Sequence, residues 1–244
     1  MGELDGRVAI VTGSSSGIGA AVARKLSELG CRIVVNSSSS VAAGTAVAES
    51  LPSEALYVQA DISDQAQGRA LVERTVDRFG RLDVLVNNAG WTRIVEHSDL
   101  DALTDEILRR TFEVNVFGTW WLTRAAMPYL RRSPDPNVVM TTSVAGLRPV
   151  GSSIAYAMSK AALNHLTALL AKSCGPVRVN AVAPGLVETP LSANLHEQHA
   201  AVAATAPLRR SGRPEDCAEA VIGLLRNTYV TGHVVVVDGG SSLL

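Results

Sequence analysis

The sequence predicts an α/β fold of the doubly wound Rossmann type, with a seven-stranded parallel sheet carrying helices on both faces, and three observations predict it. Short apolar runs alternate with helical stretches along the whole chain. The first of those runs passes directly into a glycine-rich turn and then a helix, the order a phosphate-binding strand–helix unit requires. The 244 residues, 47% of them hydrophobic and with no break in composition, are enough for one large core, so 1–244 is read as a single domain.

Residues 7–11 are the first apolar run and lead into Thr12-Gly13-Ser14-Ser15-Ser16-Gly17-Ile18-Gly19, with a helical pattern over 20–29. Gly13, Gly17 and Gly19 allow a tight turn and close approach to a pyrophosphate, while the helix start offers free N–H groups and partial positive charge. Three glycines alone also fit a plain strand-to-helix loop; their place at the first strand favours the nucleotide. A second strand over 32–35 ends at Asn36, followed by Ser37 to Ser40 and an alanine-rich helix over 41–50. The serine run is either a solvated loop or the strand edge that meets an adenosine ribose. A strand over 55–59, the pair Asp61-Ile62, a helix over 65–79 and a strand over 84–86 running into Asn87-Asn88-Ala89-Gly90 follow. Strands alternating with helices at this spacing argue for a parallel sheet with right-handed crossovers.

A long helical stretch over 105–130 carries Asn115 in its interior, where asparagine is a mediocre helix former. Either its side chain faces solvent or its amide has a specific job. A strand over 138–141 leads to Ser143, and a helix running to about 172 bears Tyr156 and Lys160, four residues and one turn apart on the same face. A lysine cation ~5 Å from a phenol, at an effective dielectric of ~20, favours the phenolate by ~3 kcal/mol, or roughly two pKa units. That would bring the phenol toward the range of a working general acid or base. Tyr-x-x-x-Lys also occurs on ordinary solvated helices. A strand over 177–182 ends at Pro184-Gly185, and the alanine-rich residues 186–207 predict short mobile helices forming a substrate lid. A helix over 214–225 and a strand over 234–237 complete the pattern.

The net charge of -1, from 22 basic and 23 acidic residues, disfavours nucleic acid and anionic membrane as partners. The three cysteines, Cys31, Cys174 and Cys217, are odd in number and far apart, which fits reduced thiols in a cytoplasmic protein. Met1 to Arg7 has acidic residues and no apolar core like a signal peptide's, and no apolar run approaches the ~20 residues that span a bilayer. No metal is expected: His196 and His199 lack the four-residue spacing of zinc-protease helices and are read as solvated. His97, His165 and His233 are isolated, so a serine–histidine hydrolase has no evident base. Trp91 is expected at the substrate mouth, and Trp120 and Trp121 in the core or at an interface.

Taken together and in order, these motifs resemble the short-chain dehydrogenase/reductase family, in its subgroup of about 250 residues, over essentially the whole chain. Thr12-Gly13-x-x-x-Gly17-Ile18-Gly19 looks like the family's cofactor turn, Asn87-Asn88-Ala89-Gly90 like its sheet-stabilising motif, and Asp61-Ile62 like its adenine contact. Pro184-Gly185 with Val187 and Thr189 resembles the nicotinamide-side turn, and Asn115, Ser143, Tyr156 and Lys160 the catalytic tetrad.

The resemblance implies that Ser143 donates to the substrate carbonyl, Tyr156 moves the proton, Lys160 lowers the tyrosine pKa and holds the nicotinamide ribose, and Asn115 binds a relay water through its side chain or its backbone. It places the cofactor against Gly13, Ser15, Ser16, Gly17, Ile18, Gly19, Asn36, Ser37, Ser38, Asp61, Ile62, Asn88, Ala89, Gly90, Pro184, Gly185, Val187 and Thr189, as well as Tyr156 and Lys160. NADP(H) is favoured over NAD(H), because Asn36 stands where an acidic residue would exclude the 2′-phosphate. The implied activity is hydride transfer between NADP(H) and a small-molecule ketone or secondary alcohol, most like the 3-oxoacyl-thioester reductases, in a homo-oligomer, tetramer or dimer. The rival is a catalytically silent dinucleotide-binding redox sensor. Residues 173–178 form a link shorter than the family's usual one.

Overall fold

Seven brief apolar runs pair into one all-parallel sheet in the order β3-β2-β1-β4-β5-β6-β7. The strands are β1 (Val8–Val11), β2 (Arg32–Ser37), β3 (Ala55–Gln59), β4 (Val84–Asn87), β5 (Asn137–Thr141), β6 (Arg178–Pro184) and β7 (Val234–Val237). The computed structural model describes residues 4–243; the first three residues of the charged opening segment lie outside that range. The helices are α1 (Gly17–Glu28), α2 (Val41–Ser50), α3 (Gln65–Phe79), α4 (Asp105–Phe112), α5 (Thr119–Leu130), α6 (Ile154–Ser173), α7 (His196–Thr205) and α8 (Pro214–Arg226).

Strand alternation sends successive side chains to opposite layers. Ile10, Val34, Leu85 and Met140 pack with Leu71 and Val72 of α3, Leu122 and Leu130 of α5, and Leu163 of α6. Val11, Ile33, Val35 and Val86 pack on the other face with Val22 and Leu26 of α1 and Val221 and Ile222 of α8. Because both faces are covered, the strands are apolar almost throughout, as parallel sheets require. The order reverses between β1 and β4, so the carboxyl ends of those strands frame the crevice where such sheets take ligands.

The stretch expected as one helix over 105–130 is divided. Between α4 and α5, residues Glu113–Gly118 wind as a π-helix, with Asn115 inside it. Gly118 makes that winding compatible with its neighbour, since a β-carbon there would lie 2.8 Å from the Ile62 carbonyl oxygen. The short link over 173–178 is a tight turn: Cys174 N donates to Leu170 O, Val177 N donates to Cys174 O, and the Gly175–Pro176 peptide is cis. The lid expected over 186–207 is a short 3-10 turn, Pro190–Ser192, followed by α7.

Candidate active site

Glycine builds the first wall of the crevice. Gly13 has φ +61 and Gly17 φ +54, and a β-carbon on Gly19 would sit 2.5 Å from both the Gly13 carbonyl oxygen and Asn88 Nδ2. Ser16 caps α1 without a side-chain hydrogen bond to its first turn, and no acidic residue lies in that turn. The helix start therefore keeps its positive end for an anion, and the cradle fits a dinucleotide pyrophosphate. Ser15 is half-buried and Ile18 packs at the edge of the α1 layer.

Threonine and asparagine fix the turn to the sheet. Thr12 Oγ1 accepts from Asn88 N and Ala89 N, at 2.9 and 3.0 Å, while Asn88 Nδ2 donates to Thr12 O and Gly13 O. Asn88 Oδ1 accepts from Thr141 Oγ1, which extends the brace from β4 to β5.

The edge at the end of β2 differs from the sequence expectation. Asn36 is 1% exposed, and its amide donates to Val58 O and Ala60 O at 3.1 and 3.0 Å, pointing into the layer of α3 and α5. Only its backbone serves the glycine turn: Ser14 N donates to Asn36 O and Asn36 N donates to Ser14 Oγ. Strand alternation brings Ser37 to the face that carries α1, where its hydroxyl pairs with Tyr57 OH at 2.8 Å, and leaves Ser38 exposed. Of the three residues expected at this edge, Asn36 turns its side chain inward, Ser37 pairs with Tyr57 and Ser38 stands exposed.

Asp61 is likewise engaged. Its carboxylate accepts from Ser63 N, Ser63 Oγ and Arg110 Nη2. Burial opposes its charge, but those hydrogen bonds and the Arg110 cation together hold it below the ordinary carboxylate range. Ile62 beside it is buried. On the opposite wall, Pro184 ends β6, Gly185 presses against Asp238, and Val187 is bridged to Gly212. Thr189 lies over Gly17, its Cβ and Cγ2 each 3.3 Å from the place a Gly17 β-carbon would take.

The tetrad residues converge from three elements. Ser143, 8% exposed, follows β5 and caps a 3-10 turn by accepting from Ala145 N at 3.1 Å. Ser153 caps α6 by accepting from Tyr156 N, which sets the helix phase that aims Tyr156 and Lys160 into the crevice. Lys160 Nζ donates to Thr141 O at 2.8 Å and lies 5.6 Å from the centre of the Tyr156 ring. Gly90 lies beside it, the place of a β-carbon there being 3.6 Å from Nζ.

The electrostatics correct the expected phenol. Burial pushes the Tyr156 pKa up, with a hydrogen bond to the Ser143 side chain acting the other way. Burial also lowers Lys160 to about 8. The expected lowering of Tyr156 by Lys160 is outweighed, because burial disfavours the phenolate and the ammonium alike. Burial thus favours the neutral phenol over the phenolate.

Asn115 has a specific job for its amide. Its Nδ2 donates to Ser159 Oγ and Trp91 O at 2.9 and 3.0 Å, and its Oδ1 accepts from Trp91 N at 2.7 Å. The amide clamps the chain just past the Asn-Asn-Ala-Gly motif, and Ser159 passes the contact to α6 by donating to Tyr156 O. Ser159, Thr141 and the Trp91 backbone were invisible as site elements in the sequence, because two act through main-chain atoms and the third is a small polar residue inside a helix. Trp91 itself is half-buried, while Trp120 is 39% exposed and Trp121 meets the Phe117 ring at 6.0 Å. His199, expected to be solvated, is half-buried and hydrogen-bonded to Ser192 and Ser211; His196 is exposed.

A doubly wound sheet with a glycine cradle at β1 and a Ser–Tyr–Lys cluster two strands away, after β5, defines a dinucleotide-dependent oxidoreductase. A family model described as enoyl-(acyl-carrier-protein) reductase matches residues 13–242. A protein of Streptomyces violaceoruber described as ketoacyl reductase 2 of the granaticin polyketide synthase is 56% identical over 243 residues, covering 97% of this chain and 96% of the relative. The 3-oxoacyl-[acyl-carrier-protein] reductase of Thermotoga maritima is 34% identical, covering 98% of each chain. Among solved structures, a short-chain dehydrogenase/reductase from Burkholderia xenovorans superposes with a TM-score of 0.90 at 36% identity, covering 98% of each chain. Levodione reductase gives a TM-score of 0.90 at 31% identity, covering 99% of each. The chain belongs to the short-chain dehydrogenase/reductase family and is an NAD(P)-dependent oxidoreductase acting between carbonyl and CH–OH groups.

Proposed function

We propose that this protein is an NADP(H)-dependent ketone reductase acting on 3-oxoacyl thioesters or the related keto groups of polyketide chains, with Tyr156 as general acid. The observation that carries this reading is the convergence at one crevice of half-buried Tyr156, buried Ser143 and buried Lys160, whose Nζ lies 5.6 Å from the centre of the Tyr156 ring and donates to Thr141 O. The 56% identity to a protein described as a polyketide ketoacyl reductase supports the substrate class.

When bound, the reduced nicotinamide supplies a hydride to the carbonyl carbon. Ser143 donates to the carbonyl oxygen and stabilises the charge that gathers there. Tyr156 gives that oxygen its phenolic proton, so the C=O π pair ends as an O–H bond. Lys160, in its charged form, stabilises the phenolate left behind and anchors the ribose beside Gly90. The proton returns from solvent by way of Lys160. Because the Asn115 amide is fully engaged, the π-helical backbone around Asn115, whose carbonyls leave the ordinary ladder, is the part of that residue able to hold a relay water. Gly13, Ser15, Ser16, Gly17, Ile18 and Gly19 hold the pyrophosphate, and Thr189 with Pro184, Gly185 and Val187 closes the nicotinamide side.

The preference for the phosphorylated nucleotide rests on Ser37 and Ser38 at the β2 edge, where no carboxylate repels a 2′-phosphate. Exposed Phe117 in the π-helix, Trp120 just after it and Leu169 on α6 are apolar surfaces suited to a second copy of the chain, in a dimer or tetramer. Buried free thiols at Cys31, Cys174 and Cys217 suit a reducing cytoplasm. Among the described residues no helix is long and apolar enough to cross a membrane, and no group of three acidic, His or Cys residues could hold a metal.

The test is a panel of 3-oxoacyl thioesters and cyclic ketones followed by nicotinamide absorbance with NADPH and NADH. The expected outcome is turnover with NADPH preferred. Tight cofactor binding with no turnover across the panel would favour the redox sensor instead.

A further inference from the structure

Helix α7 contains no buried residue, so no apolar face fastens it to the body of the protein. One side chain on it, among the described residues, makes hydrogen bonds well beyond the helix. His199 Nδ1 lies 2.8 Å from Ser211 Oγ, and its Nε2 lies 3.2 Å from Ser192 Oγ. Ser192 is itself buried and committed: its hydroxyl donates to Val187 O at 2.5 Å and accepts from Thr189 N at 3.2 Å. Its proton is thus in use, so Nε2 of His199 is the donor to Ser192, and Nδ1 accepts from Ser211. Ser211 is 5% exposed and precedes Gly212, whose backbone exchanges hydrogen bonds with Leu186 O and Glu188 N at the neck of the lid.

These contacts form a continuous path from α7 through His199 and Ser192 to Thr189, which lies over the Gly17 turn. We infer that His199 is a positioning residue: it latches α7 to both arms of the lid and, through Ser192, sets Thr189 against the glycine turn, so that lid order and nucleotide retention are coupled. The inference rests on the assignment of that turn as the nicotinamide-nucleotide site.

Titration of the intact protein with NADPH and with NADH, read by nicotinamide fluorescence, tests it on wild type, His199→Leu, His199→Gln, Ser211→Ala and the His199→Leu/Ser211→Ala double variant. Hydrogen–deuterium exchange over 196–205 in the nucleotide-free proteins provides a second readout. His199→Leu and Ser211→Ala are each expected to weaken nucleotide binding by about five- to tenfold, the scale of a lost net hydrogen bond, and to speed exchange in α7. Glutamine can donate and accept at once, so His199→Gln should recover most of the affinity. The double variant should be no weaker than His199→Leu by more than about twofold, since the two residues share one contact. The latch is overturned if His199→Leu and Ser211→Ala both bind as wild type, if His199→Gln is as weak as His199→Leu, or if the two single effects multiply in the double variant. Wild type that binds neither nucleotide would instead defeat the site assignment, and the latch with it.

Discussion

Lys160 Nζ donates a 2.8 Å hydrogen bond to the main-chain carbonyl of Thr141, so the catalytic helix is tied to the strand that delivers Ser143. The ammonium making that bond is 3% exposed, and burial lowers its pKa from 10.5 to about 8. Between those two values the unfolded chain binds more protons than the folded one, so this group's contribution to stability rises with pH. Below pH 8 the buried charge costs about 3 kcal/mol, and the cost fades as pH approaches 10.5. Relative to wild type, Lys160→Met should therefore lose stability steadily from pH 8 toward pH 10.5, on top of a pH-independent cost of the Thr141 carbonyl left unpaired. Urea denaturation across that range checks it, and a difference independent of pH would count against the buried charge.

Asn36 and Ser37 are neighbours on β2 with opposite orientations, and substitution separates their roles. Asn36→Asp would set a carboxylate against the carbonyls of Val58 and Ala60, with an expected loss of about 3 kcal/mol in stability. Ser37→Asp keeps a partner in Tyr57 OH and places its charge at the ribose edge. It should move the ratio of kcat/KM for NADPH over NADH toward NADH by roughly tenfold or more. Steady-state kinetics with both nucleotides, alongside thermal denaturation, distinguishes the two outcomes; an unchanged ratio in Ser37→Asp would place the 2′-phosphate elsewhere.

Asn115→Ala would leave Trp91 N, Trp91 O and Ser159 Oγ without the partner each now has. The expected result is a Tm lower by roughly 4–10 °C together with a fall in kcat of about tenfold or more, because the wall at Gly90 and the helix bearing Tyr156 lose a shared clamp. Calorimetry and turnover on one ketone check both. A variant with wild-type Tm would show that the clamp is unimportant.

Much of this architecture was legible in the sequence because it follows from local patterns. The helices over 41–50 and 65–79 and the strands over 55–59 and 234–237 fall where propensity and periodicity put them. The glycine turn was legible because Gly13, Gly17 and Gly19 answer a steric demand that sequence states directly. Asn115 gave a partial signal: a poor helix former inside a helix pointed to a special role, but nothing local distinguishes a π-turn from an α-helix. That the Asn36 side chain turns inward to Val58 O and Ala60 O was not legible, because the face a strand residue takes depends on register. The Tyr156 shift depended on desolvation, which pairwise spacing does not contain. His199 finds its serines 7 residues before and 12 residues after it, distances set by how the lid folds back.

The central claim is that the Tyr156 hydroxyl supplies the proton that completes ketone reduction. The most direct measurement is single-turnover NADPH oxidation with a 3-oxoacyl thioester, comparing wild type with Tyr156→Phe after nucleotide affinity has been confirmed for both. The expected result is a rate reduced by about 10²–10⁴-fold with nucleotide binding within about twofold of wild type. A Tyr156→Phe rate within tenfold of wild type would contradict it.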